Sequence, residues 1–228
     1  TWQSPQGDLQ IKAISLLGWC IAIIRIVPLF IVLFGGLLIL LLLRIFEKPL
    51  FGHKRPITSL LTQAVCKISL RIMGIKYQIV GRPMTKNGAV VANHSSWLDI
   101  FTLNAAQCVY FVSKSEVAAW PGIGWLARAA GTVFITRDRL QAKLQSNVLS
   151  SRFQMGHKLL FFPEGTSTDG QQVLPFKSTL FAALFEQSLK NIIHVQPVSV
   201  VYKAPKGCDE RFYGWWGDMA FDAHFLLT

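Results

Sequence analysis

The sequence predicts an α/β domain with a mostly parallel sheet flanked by helices, preceded by an N-terminal membrane helix or helical hairpin. Two patterns carry this expectation. From residue 75 onward, strand-like runs at 75–80, 89–92, 108–112, 132–136, 158–162 and 193–202 alternate with helix-like runs at 96–106, 115–129, 138–154 and 177–189. Strands that alternate with helices of this length form parallel sheets joined by helical crossovers. Upstream, Ile26 to Leu43 reads "IVPLFIVLFGGLLILLLL", eighteen residues without a charge. At about 1.5 Å per residue such a helix spans roughly 27 Å, close to the thickness of a bilayer core.

Each element follows from its own residues. Ile11 to Ile24 is also apolar and is separated from the longer run only by Arg25 and Pro28, so one spanning helix and a membrane hairpin both fit. Pro28 is tolerable near a helix start, and Gly35-Gly36 suits close helix packing. A cleaved signal peptide fits poorly. The run is long, and "RIFEKPLFGHKRP" follows it in place of a small-residue cleavage site. Thr58 to Met73 places apolar residues at 61, 64, 65, 68 and 72, with Lys67 and Arg71 on the other side. That is the spacing of an amphipathic helix, facing either the core or a membrane surface, and Gly74 closes it. Three segments result: a membrane-embedded segment 1–46, a basic helical connection 47–74, and an α/β domain 75–228. The chain opens on Thr1 and stops at "FDAHFLLT" in mid-pattern, which predicts further chain beyond these ends.

Charge narrows the class. The net charge is +11, and residues 44–86 hold nine Lys and Arg against one acid, Glu47. Basic flanks of a membrane helix stay in the cytoplasm and attract anionic lipid head groups. The expected location is therefore the inner membrane, with the α/β domain facing the cytoplasm. A nucleic-acid partner is not expected, since the basic stretch lacks aromatic interleaving and a binding motif. Cys20, Cys66, Cys108 and Cys208 are far apart, with no metal-ligand spacing, and read as reduced. The aromatic tail "YGWWGD" (213–218) fits a core cluster or a membrane-facing lip.

Three strand exits carry chemistry. Asn93-His94 follows 89–92, Arg137 follows 132–136, and Pro163-Glu164-Gly165-Thr166 follows 158–162. Ligands bind beyond the carboxyl ends of strands in open α/β sheets. A packed core needs none of these groups there, and their coincidence marks a cleft. Asp99 lies five residues after His94 and so does not share a helical face with it. The two meet if His94 precedes the helix and folds back over its first turn. The carboxylate then accepts the Nδ1 proton, fixes the tautomer and leaves Nε2 to take a proton from a substrate hydroxyl. A serine hydrolase would need a GxSxG elbow, and the sequence has none. A metal site built on His94, Asp99 and Glu164 would need a further strong ligand that the sequence does not show, so no metal is expected. The Pro163–Gly165 turn exposes backbone N–H groups, Glu164 is suited to acceptor hydroxyls, and Arg137 is suited to a phosphate.

These motifs resemble the blocks of the glycerolipid acyltransferases of the lysophosphatidic acid acyltransferase type. "NHSSWLD" matches the NHx4D box, "GTVFITR" the second block, "FPEGTST" the third, and "VQPVSV" with Pro197 the fourth, in order over residues 89–200. The resemblance implies transfer of a fatty acyl group from acyl-CoA or acyl-carrier protein to a lysolipid hydroxyl, without an acyl-enzyme and without a cofactor. It makes His94 the base and Asp99 its orienter. Asn93, Arg137, Glu164, Gly165 and Thr166 become acceptor-binding residues, and Pro197 part of the acyl pocket. Two departures stand out. Ser167 occupies the place of an Arg common in the third block, and Thr136 replaces an Asp in the second. Loss of that Arg weakens the fit to a phosphomonoester, which bidentate Arg contacts hold best. Lys177 in "PFKS" is a replacement cation. "EGTSTDG", "VLPFKS" and "YGWWGD" are similar to family members that acylate lyso-ornithine lipid. The expected acceptor is 1-acylglycerol-3-phosphate on family frequency, with lyso-ornithine lipid as the alternative. A membrane-tethered lipid-binding protein is the non-enzymatic reading, and the His94–Asp99 pair argues against it.

Overall fold

The computed structural model describes residues 2–7, 9, 14–136, 141–177, 184, 189 and 193–227. The apolar N-terminal run forms one continuous helix, α1 (Leu16–Phe51), capped by the Ser15 hydroxyl, which accepts from the Gly18 N–H. Its 36 residues extend about 54 Å. Among the described residues this is the one helix long and apolar enough to cross a membrane. No hairpin forms within it, because Pro28 is accommodated inside the helix. The turn comes after Phe51 instead, and α2 (Thr58–Ile72) folds back on α1.

Two contacts fix this pairing. A β-carbon on Gly36 would stand 2.7 Å from Val65, so glycine lets the two backbones approach. Glu47, buried on α1, accepts from the Ile57 and Thr58 N–H groups at 2.7 and 3.0 Å and from the Thr58 hydroxyl at 2.5 Å. A helix start has N–H groups without intrahelical partners and a partial positive charge, and this carboxylate answers both. The lone acid of the basic stretch is thus the N-terminal cap of α2.

The α/β domain follows as β1 (Gly88–Ala92), α3 (Asp99–Ala106), β2 (Tyr110–Lys114), a 3-10 turn (Ser115–Ala119), α4 (Ile123–Ala130), β3 (Val133–Ile135), α5 (Ala142–Gln154), β4 (Lys158–Phe161), β5 (His194–Val198) and α6 (Phe221–Leu227). The five strands pair in the order β3-β2-β4-β1-β5, all parallel. One face of the sheet buries Ala89, Leu159, Phe161 and Val133 against Leu149 and Phe153 of α5. The other buries Val90, Leu160 and Phe111 with Leu103 of α3. A third cluster joins Leu29 of α1, Leu70 of α2, Trp97 and Leu98 to Trp215 and Phe221. Trp216 is buried, so the aromatic tail belongs to the core.

Several expectations are corrected. Residues 75–80 alternate like a strand but pair with no strand among the described residues, and Val80 is 90% exposed. Both flanks of β1 are taken by β4 and β5, so alternation alone finds no ladder there. The helix expected over 115–129 is broken at Trp120–Gly122, where Pro121 and the positive φ of Gly122 separate the 3-10 turn from α4. The helix after His94 starts at Asp99 and not at 96. Most of the run at 177–189 lies outside the described residues.

Candidate active site

Sheet order builds the site. β1 and β4 are neighbours, with Val91 opposite Phe161, so their carboxyl ends open side by side. Asn93-His94 leaves one strand there, and Phe162 to Thr166 leaves the other. The His94 ring stacks on Phe162, with centroids 4.0 Å apart and planes 14° apart. Thr168 donates its N–H to the His94 carbonyl at 2.9 Å, and Trp215 donates to the Ser95 carbonyl at 2.8 Å. The imidazole is therefore held from its face and its backbone at once.

His94 precedes α3, and Asp99 is the first residue of that helix. His94 Nδ1 lies 2.7 Å from Asp99 Oδ2. The same oxygen accepts the N–H groups of Ser95 and Ser96 at 2.9 and 3.1 Å. The chain loops over its own helix start, and the carboxylate satisfies the loop. Asp99 is fully buried, whereas the His94 side chain keeps 20% of its exposure. One nitrogen is thus fixed on an inaccessible carboxylate, while the side chain keeps a solvent-facing portion. Such a pair can take a proton from a bound hydroxyl and return it.

Asp99 has another partner that no local pattern disclosed. Tyr202 donates its hydroxyl to Asp99 Oδ1 at 2.7 Å and stands 3.2 Å from the Thr102 hydroxyl. Burial, and then the Asp99 charge, raise the Tyr202 phenol well above its ordinary range, so it remains a donor at neutral pH. In sequence Tyr202 only ends an apolar run. Its role arises because the segment after β5 passes over the start of α3.

Asn93 spans to that same segment. Its amide donates to the Val200 carbonyl at 2.9 Å and accepts the Val200 N–H at 2.7 Å. This two-way bond ties the exit of β1 to the exit of β5 and positions Tyr202. Glu164 is buried, and its Oε2 accepts the Leu174 N–H at 3.0 Å, bracing the loop after β4. Gly165 adopts φ +69° there, and the Lys177 side chain passes 3.3 Å from where a β-carbon would sit. Lys177 is exposed and donates its N–H to the Pro163 carbonyl. Thr166 is half-buried. Ser167 is buried, so the position where an Arg is common holds a small neutral side chain.

The N-terminal segment also reaches this loop. Ser4 donates to Asp169 at 2.6 Å, and Arg211 reaches the Ser4 hydroxyl and the Gly7 carbonyl. Pro197 sits in the edge strand β5, opposite Val91, and is exposed. An edge strand is where a sheet tolerates proline. Arg137 lies outside the described residues. No cluster of metal ligands occurs among the described residues.

Comparison with known proteins follows the same outline. A family profile described as Acyltransferase matches residues 76–201. A lyso-ornithine lipid O-acyltransferase of Rhodobacter capsulatus is 59% identical over 194 residues, covering 85% of this chain and 70% of that protein. One of Rhizobium meliloti is 32% identical, covering 70% of this chain and 58% of that protein. A 1-acyl-sn-glycerol-3-phosphate acyltransferase of Neisseria gonorrhoeae is 39% identical over 115 residues, covering 49% of this chain and 45% of the other. The crystal structure of a 1-acyl-sn-glycerophosphate (LPA) acyltransferase from Thermotoga maritima shares the fold. Its TM-score is 0.55 at 19% identity, over 80% of this chain and 73% of that one.

Proposed function

The chain belongs to the glycerolipid acyltransferase family, and on that premise we propose that it transfers a fatty acyl group from a thioester donor to the hydroxyl of lyso-ornithine lipid. The 59% identity to a lyso-ornithine lipid O-acyltransferase over most of the chain carries the choice of acceptor. It reverses the order of acceptors drawn from family frequency. The buried Ser167 supports it, because a neutral side chain there offers no guanidinium to a phosphomonoester. Lyso-ornithine lipid presents an amino acid head group instead.

In the proposed reaction, His94 Nε2 removes the proton of the acceptor hydroxyl as its oxygen attacks the thioester carbonyl. The imidazolium that forms is stabilised by Asp99. The tetrahedral intermediate collapses, the C–S bond breaks, and the imidazolium returns its proton to the departing thiolate. The products are an ester and a free thiol, and no acyl-enzyme intervenes. Asp99 orients the base, and Tyr202 positions Asp99. The loop from Glu164 to Thr166, with Lys177 and Arg137, forms the acceptor side, Asn93 acts through its two bonds to Val200, and Pro197 belongs to the acyl side. Acyl-CoA and acyl-carrier protein both supply the required thioester.

Both substrates and product are amphiphiles, and α1 suits that setting. Leu38, Leu41, Leu42 and Ile45 expose an apolar flank, while Leu29 and Leu40 face the domain. We infer that this flank seats the enzyme in the inner membrane with its catalytic domain toward the cytoplasm. The test offers purified full chain a labelled acyl thioester with lyso-ornithine lipid and with lysophosphatidate. Preferential acylation of lyso-ornithine lipid is expected, and His94→Ala abolishes it. Exclusive use of lysophosphatidate would overturn the acceptor. Turnover like the parent's in His94→Ala would overturn the base.

A further inference from the structure

A groove of about 610 Å³ runs between the second half of α1 and α4. Its two ends differ. Leu37, Leu40 and Leu41 line one end, with Trp125. Arg44, Lys48, Arg55 and Arg128 line the other. No carboxylate lines it among the described residues. Glu47, the nearest acid in sequence, is committed to the start of α2 and to Arg44. Arg55 donates to the Ala129 carbonyl, at the end of α4 that leads into β3. The groove thus opens at the amino edge of the sheet, opposite the edge that carries His94.

Glu47 balances Arg44, which leaves Lys48, Arg55 and Arg128 around the cavity with no carboxylate in its lining among the described residues. Burial, and then the neighbouring Arg44 charge, lower the Arg55 guanidinium from its ordinary range. A bound anion would relieve that strain and accept charge-assisted hydrogen bonds. Leu37 and Lys48 are eleven residues apart on one helix, about 16 Å along its axis. That distance suits a phosphate head group with the upper part of one acyl chain. Trp125 is 58% exposed beside this boundary, where amphipathic rings favour a membrane interface.

We propose that this groove is a binding site for an anionic phospholipid of the bilayer, its phosphate among Lys48, Arg55 and Arg128 and one acyl chain along Leu37 to Leu41. It is separate from the reaction site and rests on the membrane seating of α1. The occupant binds as a structural lipid that fixes α4 against α1, and it is not consumed.

The experiment titrates the full chain in neutral detergent with dihexanoyl phosphatidylglycerol and, separately, with dihexanoyl phosphatidylcholine, counting bound lipid by native mass spectrometry. One phosphatidylglycerol should bind, and the zwitterionic lipid much more weakly. Lys48→Gln with Arg128→Gln should weaken phosphatidylglycerol binding roughly thirtyfold, from two cations at a lipid surface. Lys76→Gln with Lys86→Gln removes the same charge elsewhere and should leave binding unchanged. Lys48 and Arg128 are exposed, and each single variant is read as well, so a misfolded double variant does not end the test. Equal binding of the two lipids, or parental binding by the Lys48/Arg128 variants, overturns the proposal. So does a raised KM for acyl-carrier protein with lipid binding intact, which would assign the groove to an acidic protein donor. Acceptor preference at the His94 site does not bear on any of these outcomes.

Discussion

Tyr202→Phe removes one oxygen from beneath the His94–Asp99 pair and leaves the ring in place. Asp99 is fully buried and accepts from four groups: His94 Nδ1 and the Ser95 and Ser96 N–H on Oδ2, and Tyr202 on Oδ1. No water can take the vacated position on a carboxylate with no exposed surface. A hydrogen bond to a charged group contributes about 1.5–3 kcal/mol. At about 1.4 kcal/mol per factor of ten, its full loss corresponds to roughly 10- to 150-fold. The other three donors still hold Oδ2, so we expect the lower end, about a tenfold fall in kcat. The acceptor KM should stay unchanged, because Tyr202 lies under Asp99 and not against the substrate. The assay is steady-state acyl transfer in mixed micelles, with thermal unfolding alongside. A merely structural tyrosine would lower the melting temperature and leave kcat of the folded enzyme in place. If kcat stays within twofold of the parent, Tyr202 does not position Asp99.

Three further outcomes test the fold. Burial, and then the Arg152 and Arg55 charges, push His157 from 6.5 to about 4. The unfolded chain therefore binds this proton first, and stability should fall as pH drops from 6.5 toward 4, by up to tenfold in the folding constant per unit. Denaturant midpoints at pH 7, 6 and 5 should show this slope, and His157→Gln should flatten it. Gly88→Ala places a β-carbon against the His194 carbonyl oxygen at φ +149°, where β1 pairs with β5. A loss of about 1–3 kcal/mol is expected for such overpacking, measured as a lower melting temperature. Glu47→Gln leaves one acceptor oxygen where two serve the α2 start and Arg44, and a loss of about 2 kcal/mol on unfolding should follow.

Fold class was legible because it depends on local patterns. Alternating runs fixed the number and order of the described strands after residue 88, and eighteen uncharged residues fixed a helix. What failed depended on partners. Residues 75–80 have the alternation of a strand, yet pairing requires a free edge at the right place. The N-terminal helix was ambiguous for a related reason. Pro28 signals a break locally, but a long apolar helix packed on α2 absorbs it.

The site divides in the same way. His94 and Asp99 lie within six residues, and the chemistry of an imidazole beside a carboxylate needs only that short stretch to be inferred. Asn93, Thr168 and Tyr202 are different, because each acts through a bond to a distant backbone or side chain. Asn93 grips Val200 across 107 positions, Thr168 reaches the His94 carbonyl, and Tyr202 lies 103 positions from the carboxylate it touches. These three contacts form one arrangement. The Asn93–Val200 bond fixes the segment that carries Tyr202, and Tyr202 fixes the carboxylate that holds His94. It follows that Asn93→Ala should reproduce the lowered kcat of Tyr202→Phe at unchanged acceptor KM, although the Asn93 side chain bonds to neither member of the pair. The two changes together should cost little more than either alone. Additive losses in the double variant would show instead that Asn93 acts on the acceptor.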